Sequence, residues 1–200
     1  MIKTILFDLG NVIIPFDFKR AYSKLQPLCN YPVAQIPDRM RGTDLVSRFE
    51  SGHIGAEHFV KEFSKLLELN IGYDEFCDLW TSVFLPEPLI QESLLANLRG
   101  RYRLMILSNT NPIHFNMIRA NYALLRHFDH CVLSYEVGAL KPSGKIFEDA
   151  IAHAGCDAGE CFFTDDLVAK VEAARKHGMD AVQFHSAAQL EGELRNRGLL

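Results

Sequence analysis

The sequence predicts an α/β protein: a doubly wound parallel sheet with an inserted helical bundle. Three observations carry that expectation. Short apolar runs at residues 3–7, 103–107, 130–133, 161–164 and 181–184 have the length and composition of strands buried on both faces. Helical patterns separate several of them, which is the mark of βαβ units. Between the first two runs, residues 16–85 break the alternation and hold no strand-like run.

The first run stops at Asp8-Leu9-Gly10-Asn11, a turn-rich stretch. The insertion then reads as helix over 18–28, 43–50, 56–69 and 73–84, with Gly52 and Gly55 as punctuation. Pro86-Glu87-Pro88 marks the return to the core. Leu89, Ile90, Leu94, Leu95 and Leu98 fall at helical spacing over 88–98. Ile146, Phe147, Ala150 and Ile151 do so over 143–153. Leu167, Val168, Val171 and Ala174 do so over 167–177, and Gly178 is a suitable stop. The expected division is a core of residues 1–15 and 86–200 and a helical insertion of 16–85.

Composition narrows the function classes. The chain has 200 residues, 48% of them hydrophobic and 23% charged, which excludes a disordered chain. Lys+Arg 21 against Asp+Glu 25 gives a net charge of −4, so no nucleic-acid partner is expected. The apolar runs fall far short of the roughly 20 residues that cross a bilayer, so no membrane partner is expected. Asp8 interrupts the first run too early for the apolar core of a signal peptide. Cys29, Cys77, Cys131, Cys156 and Cys161 form no C-x-x-C pair, so neither zinc nor a disulfide framework is suggested. A reduced, cytoplasmic protein, monomer or homodimer, is the expectation.

Ligands of open parallel sheets bind beyond the carboxyl ends of the strands. Those ends carry Asp8, Ser108 with Asn109, and Asp165 with Asp166, while Lys141 follows the 130–133 run by a short loop. Carboxylates, a hydroxyl and a lysine at one edge suit metal-assisted chemistry on an anion. The carboxylates would hold a hard cation such as Mg²⁺. The lysine and hydroxyl would hold phosphate oxygens, and Asp8 would be the nucleophile.

Four segments support this: Phe7-Asp8-Leu9-Gly10-Asn11-Val12, Leu107-Ser108-Asn109-Thr110, Leu140-Lys141-Pro142 and Phe163-Thr164-Asp165-Asp166. In this order, spread over the whole chain, they resemble the four motifs of the haloacid dehalogenase (HAD) superfamily. Residues 16–85 resemble its C1-type helical cap. The first and second motifs are similar to those of the bacterial alpha-D-glucose-1-phosphate phosphatase subgroup. The N-terminal phosphatase domain of soluble epoxide hydrolase is a more distant relative. The resemblance implies a Rossmann-like core and Mg²⁺-dependent hydrolysis of a small phosphorylated metabolite through an aspartyl-phosphate. It makes Asp8 the nucleophile and places Asp8, the Gly10 carbonyl, Asp165 and Asp166 around Mg²⁺. Ser108 and Lys141 would hold the transferring phosphoryl group, with Leu9, Asn11 and Asn109 completing the cradle.

Two positions depart from the family pattern. Gly10 stands where most relatives carry a general acid and base, a group typically worth about 10²–10⁴ in rate. Its absence hurts least with a good leaving group, which points to a sugar 1-phosphate. Lys170 stands where relatives usually carry Asn or Asp. Four residues beyond Asp166, it is expected one helical turn further from the site, either weakening Mg²⁺ binding or pairing with Asp165.

The remaining candidates are weaker. Asp17 and Arg20, at the entry to the insertion, are candidates to reach the substrate or replace the missing acid. Arg39, Arg41 and Thr43 are candidates for sugar hydroxyls or a second anion. His114 is expected on a helix surface. Phe49, Phe59, Phe63 and Phe76 are expected in the core of the insertion, and Trp80 fits either a core or a sugar platform. Two competing functions remain: metal-free haloacid dehalogenase chemistry, against which the Asp165-Asp166 pair argues, and a non-catalytic binding protein, suggested by Gly10 and Lys170.

Overall fold

The computed structural model describes residues 1–200, the side chain of Val33 excepted. In chain order, β1 (Thr4–Phe7) is followed by α1 (Phe18–Leu25), α2 (Ile36–Arg41), α3 (Leu45–Glu50), α4 (Ala56–Leu67) and α5 (Tyr73–Thr81). Next come α6 (Glu92–Arg99), β2 (Arg103–Ser108), α7 (Pro112–Asn121), β3 (His130–Leu133), α8 (Ser134–Val137) and α9 (Gly144–Ala154). The chain closes with β4 (Cys161–Asp165), α10 (Val168–Lys176), β5 (Asp180–Gln183) and α11 (Ala187–Asn196).

The strands form one parallel sheet in the order β3-β2-β1-β4-β5, with β1 at its centre. Alternation along each strand divides the core into two layers. Ile5 and Phe7 join Leu104, Ile106 and Phe162 on one face, covered by α6, α7 and α11. Leu6 joins Met105, Leu107 and Phe163 on the other, covered by α9 and α10. Phe7, the last residue of β1, pairs with Ile106 on one side and Thr164 on the other, so β2 and β4 end at Ser108 and Asp165, just beyond it. The crossovers leave β1 in opposite directions, and such a switch point is where a parallel sheet opens a crevice.

The insertion has its own core. Phe49 stacks on Phe59 at 4.1 Å between ring centroids, and Phe63 meets Trp80 edge-on at 5.2 Å. Trp80 is therefore a packing residue. Ile113 of α7 joins this cluster and ties the insertion to the sheet layer. Gly52 completes the docking: at φ +71°, any Cβ would lie 2.1 Å from the Tyr135 carbonyl oxygen.

Several helices escaped the sequence reading for physical reasons. α7 is buried on two sides, by Phe115 and Ile118 toward the sheet and Ile113 toward the insertion, which blurs its periodicity. α11 buries only Leu190 and Leu194. α2, with Pro37 in its first turn, buries only Ile36. α8 is a single turn. Among the described residues, no helix is long and apolar enough to cross a membrane.

Candidate active site

Asp8 leaves the end of β1 with 4% exposure, and its backbone N–H still pairs with Thr164 O at 2.9 Å. The Leu9 N–H donates to Asp8 Oδ1 at 2.7 Å and orients the carboxylate. Ser108 and Asp165 end β2 and β4. Asp165 Oδ1 accepts the Leu167 N–H at 2.9 Å, turning the chain into α10.

Lys141 is drawn in by Asn109. Its backbone N–H donates to Asn109 Oδ1 at 2.7 Å, and Asn109 Nδ2 donates to the Lys141 carbonyl at 3.0 Å. The Lys141 ammonium meets three acceptors: Leu107 O at 2.6 Å, Asp165 Oδ2 at 2.6 Å and Asp8 Oδ1 at 3.0 Å. A second ammonium, Lys170, lies 3.4 Å from Asp8 Oδ2 and 3.6 Å from Asp165 Oδ1.

These charges set the protonation states. Burial pushes the Asp8 carboxyl up, but Lys141, Lys170 and the Leu9 N–H outweigh it and hold the group below the usual carboxylate range. Burial pushes Asp165 up to about 6, with the two lysines pulling the other way. Burial disfavours the charged Lys170, yet Asp8, Asp165 and Asp166 hold its pKa above the ordinary lysine value.

The donor set fits a hard dication. One ligand oxygen each from Asp8, Asp165 and Asp166 lies within 4.8 Å of the others. The turn after β1 closes through Asn11 N–H to Ile14 O and Ile13 N–H to Leu9 O, which leaves the Gly10 carbonyl free. Gly10 also leaves room for a neighbour: the Phe16 ring comes within 2.7 Å of where its Cβ would be.

Several expectations need correction. Lys170 pairs with Asp165, one of the two expectations for it, but lies at the site rather than a turn beyond it, because helical side chains lean toward the helix N-terminus, which here faces the sheet edge. Asn11 commits its N–H and Oδ1 to the turn, and its Nδ2 stays open to a phosphate. At φ +55° it shapes the turn, its N–H going to Ile14 O and its Oδ1 accepting the Phe16 N–H at 3.2 Å. Asp17 caps α1 by accepting the Lys19 N–H, and Arg20 donates to Ser82 O at 3.0 Å, so both serve the hinge. Arg39 stacks on Tyr31.

His114 is buried rather than exposed, because the insertion folds over α7. Its Nε2 lies 3.1 Å from Trp80 O, which can only accept, so Nε2 carries the proton and Nδ1 accepts from Asn111 Nδ2. Burial pushes its pKa down to about 4.

Leu9, Gly10, Ser108 and Asn109 line a partly open cleft, walled on the insertion side by Phe18, Val83 and Glu50. It adjoins a larger cavity within the insertion, lined by Arg41, Thr43, Tyr22, Trp80 and again Glu50. Sequence reasoning missed Glu50, whose one signal is an acid at the end of a predicted helix, two residues before Gly52.

Comparison with known proteins agrees with this geometry. D-ribitol-5-phosphate phosphatase of Bacteroides thetaiotaomicron is 26% identical, covering 97% of each chain. Glyceraldehyde 3-phosphate phosphatase of Pyrococcus abyssi is 25% identical, covering 92% of this chain and 82% of its own. A HAD family enzyme of B. thetaiotaomicron, solved with magnesium and inorganic phosphate, superposes with a TM-score of 0.84 at 26% identity, covering 93% of this chain and 96% of its own. An L-2-haloacid dehalogenase of Xanthobacter autotrophicus shares the fold at 19% identity, with a TM-score of 0.66 over 100% of this chain and 85% of its own. Residues 2–178 match the model of the haloacid dehalogenase-like hydrolases, and the chain belongs to that family.

Proposed function

We propose that the protein hydrolyses small phosphomonoesters, with Mg²⁺, through an aspartyl-phosphate on Asp8. One observation supports this best: an ionised, buried Asp8 touches Lys141 and stands beside two further carboxylates. Asp8, Asp165, Asp166 and the Gly10 carbonyl would hold the ion, which when bound draws charge from the phosphoryl oxygens. Lys141 and Ser108 would hold those oxygens, with Leu9 and Asn109 lining the cradle. Asp8 attacks phosphorus and the bond to the alcohol oxygen breaks. Water then attacks the same phosphorus, the bond to Asp8 breaks, and phosphate leaves. Residues 16–85 act as a cap that excludes bulk water.

The substrate class is a small sugar or polyol phosphate, in line with the phosphatases to which the chain is similar. If position 10 alone decides, a sugar 1-phosphate is favoured, because its anomeric oxygen leaves without a strong acid. The test is phosphate release with Mg²⁺ from p-nitrophenyl phosphate and a panel holding glucose 1-phosphate, glucose 6-phosphate and ribitol 5-phosphate. Equal turnover of the two glucose phosphates removes the 1-phosphate preference. Chloride release from 2-chloropropionate without phosphate release would replace the reading by dehalogenation.

One observation favours a second reading. Lys170 lies 3.4 Å from Asp8 Oδ2, close to where the ion is proposed. A binding protein on a disabled phosphatase scaffold would accommodate that. Beryllofluoride with Mg²⁺ should form an adduct on Asp8; no adduct, with Asp8→Asn indistinguishable from wild type, would leave the binding reading.

A further inference from the structure

We propose that Glu50 of the insertion is the general acid and base of the reaction, replacing the group that position 10 lacks. The proposal rests on the phosphatase reading above. Its first support is place. Glu50 lines the cleft together with Gly10, Ser108 and Asn109, and also lines the larger cavity of the insertion. A phosphate held by Lys141 and an organic part lying in that cavity would put the bridging oxygen between them, beside Glu50.

The second support is rigidity. The Glu50 carbonyl accepts the Ser134 hydroxyl at 2.6 Å, and the same hydroxyl oxygen receives the Thr110 N–H at 2.9 Å. Glu50 is thereby fastened to the loop that carries Ser108. Two residues on, Gly52 nests against Tyr135 and fixes the same segment.

The third support is availability. Among the described residues, the Glu50 carboxyl makes no hydrogen bond, whereas Asp8 and Asp165 are held by lysines. Position 10 offers no alternative, since the Phe16 ring fills the space beside it. Burial pushes the Glu50 carboxyl up to about 7, with Lys170 pulling it down, so near neutral pH both of its forms are populated. Lys170 of α10 is the charge that acts on it, and His114 of α7 and Arg41 at the end of α2 line the same cavities. His114 cannot take the role: both ring nitrogens are engaged and the ring stays neutral.

The chemistry balances. As Asp8 displaces the alcohol, the protonated Glu50 gives its proton to the leaving oxygen. The resulting carboxylate then takes a proton from the water that attacks the aspartyl-phosphate. One water is consumed, and alcohol and phosphate are released with Glu50 protonated again. A proton donor at the bridging oxygen brings phosphates of ordinary alcohols within reach, and the preference for a sugar 1-phosphate is no longer forced.

The test compares wild type, Glu50→Gln and Glu50→Asp with Mg²⁺ on two probes, ribitol 5-phosphate and p-nitrophenyl phosphate. The value of kcat/KM reports only formation of the aspartyl-phosphate. In Glu50→Gln it should fall by roughly 10²–10⁴ on ribitol 5-phosphate and by less than about tenfold on p-nitrophenyl phosphate, whose oxygen leaves unaided. The wild-type alkaline limb near pH 7 on ribitol 5-phosphate should vanish in Glu50→Gln and persist in Glu50→Asp at a reduced rate. Equal losses on both probes, an unchanged limb, or a wild type inactive on all alkyl phosphates would overturn the role of Glu50 alone. A wild type inactive on every phosphate would overturn the phosphatase reading and Glu50 with it. Circular dichroism checks that Glu50→Gln is folded; if it is not, Glu50→Asp carries the comparison through its leaving-group dependence.

Discussion

The sheet edge and the insertion solve opposite problems. At the edge, Asp8, Lys141, Asp165 and Lys170 are charges sunk into the protein, each neutralised by a neighbour of opposite sign. In the insertion, Phe49, Phe59, Phe63, Phe76 and Trp80 fill the interior with rings, and among the described residues the carboxyl of Glu50, at the cleft, makes no hydrogen bond. On the proposed reading, the edge holds the part every phosphomonoester shares, and the insertion, Glu50 included, faces the leaving group, which differs from substrate to substrate. Phosphoryl transfer then belongs to strand ends, and the leaving group to helices that pack mostly on one another.

Substitutions test that division, beginning with the largest effect. Asp8→Asn should lower kcat by roughly 10⁴–10⁶, the scale of losing a nucleophile, while the insertion's near-ultraviolet dichroism stays unchanged. A folded Asp8→Asn protein within tenfold of wild type would remove the edge from the chemistry. Phe63→Ala should cost about 3–5 kcal/mol in urea unfolding, because it empties the ring cluster, and should leave Mg²⁺ binding at the edge unaltered. Weakened Mg²⁺ binding in that variant would mean the two regions are not separable.

The next effect is a pH dependence. The His114 pKa is depressed to about 4 in the folded chain, against about 6.5 when unfolded. As pH falls, the unfolded chain takes up the proton first. Stability is therefore intact above about 6.5 and is lost between 6.5 and 4, by roughly 3 kcal/mol in all. Urea unfolding of wild type should show that slope and His114→Gln should lack it; parallel slopes would place the titration elsewhere. The smallest effect concerns Lys170. Lys170→Asn removes a positive charge beside Asp8 and should tighten Mg²⁺ binding about tenfold by calorimetry, about 1.4 kcal/mol. Unchanged or weaker affinity would show that the lysine swings clear of the ion.

What the sequence revealed follows the same division. The sheet was legible because strands buried on both faces are short apolar runs, and the edge residues follow those runs directly. Ser108 and the Asp165-Asp166 pair could be placed from strand ends, and Lys141 from the loop after the 130–133 run. The Asn109 side-chain amide has a further role that the sequence does not show: it clamps Lys141, which needs the loop after β3 to return to the end of β2. Lys170 was misplaced because spacing along a helix tells the face but not the lean of a long side chain. His114 reads as surface and Glu50 goes unmarked in the sequence because each belongs to the seam between insertion and core. An isolated helix pattern does not reveal what will fold over it.

The geometry of Lys141 has a consequence for how this site meets its ligand. An ammonium has three hydrogens, and here Leu107 O and Asp165 Oδ2 accept two of them, while Asp8 Oδ1 is an ion-pair neighbour at 3.0 Å. The cation is thus tethered on two sides and keeps its third hydrogen on the side of Asp8. A phosphate oxygen that reaches Lys141 shares that hydrogen with the carboxylate, so one tethered cation draws the attacking group and its target to the same point.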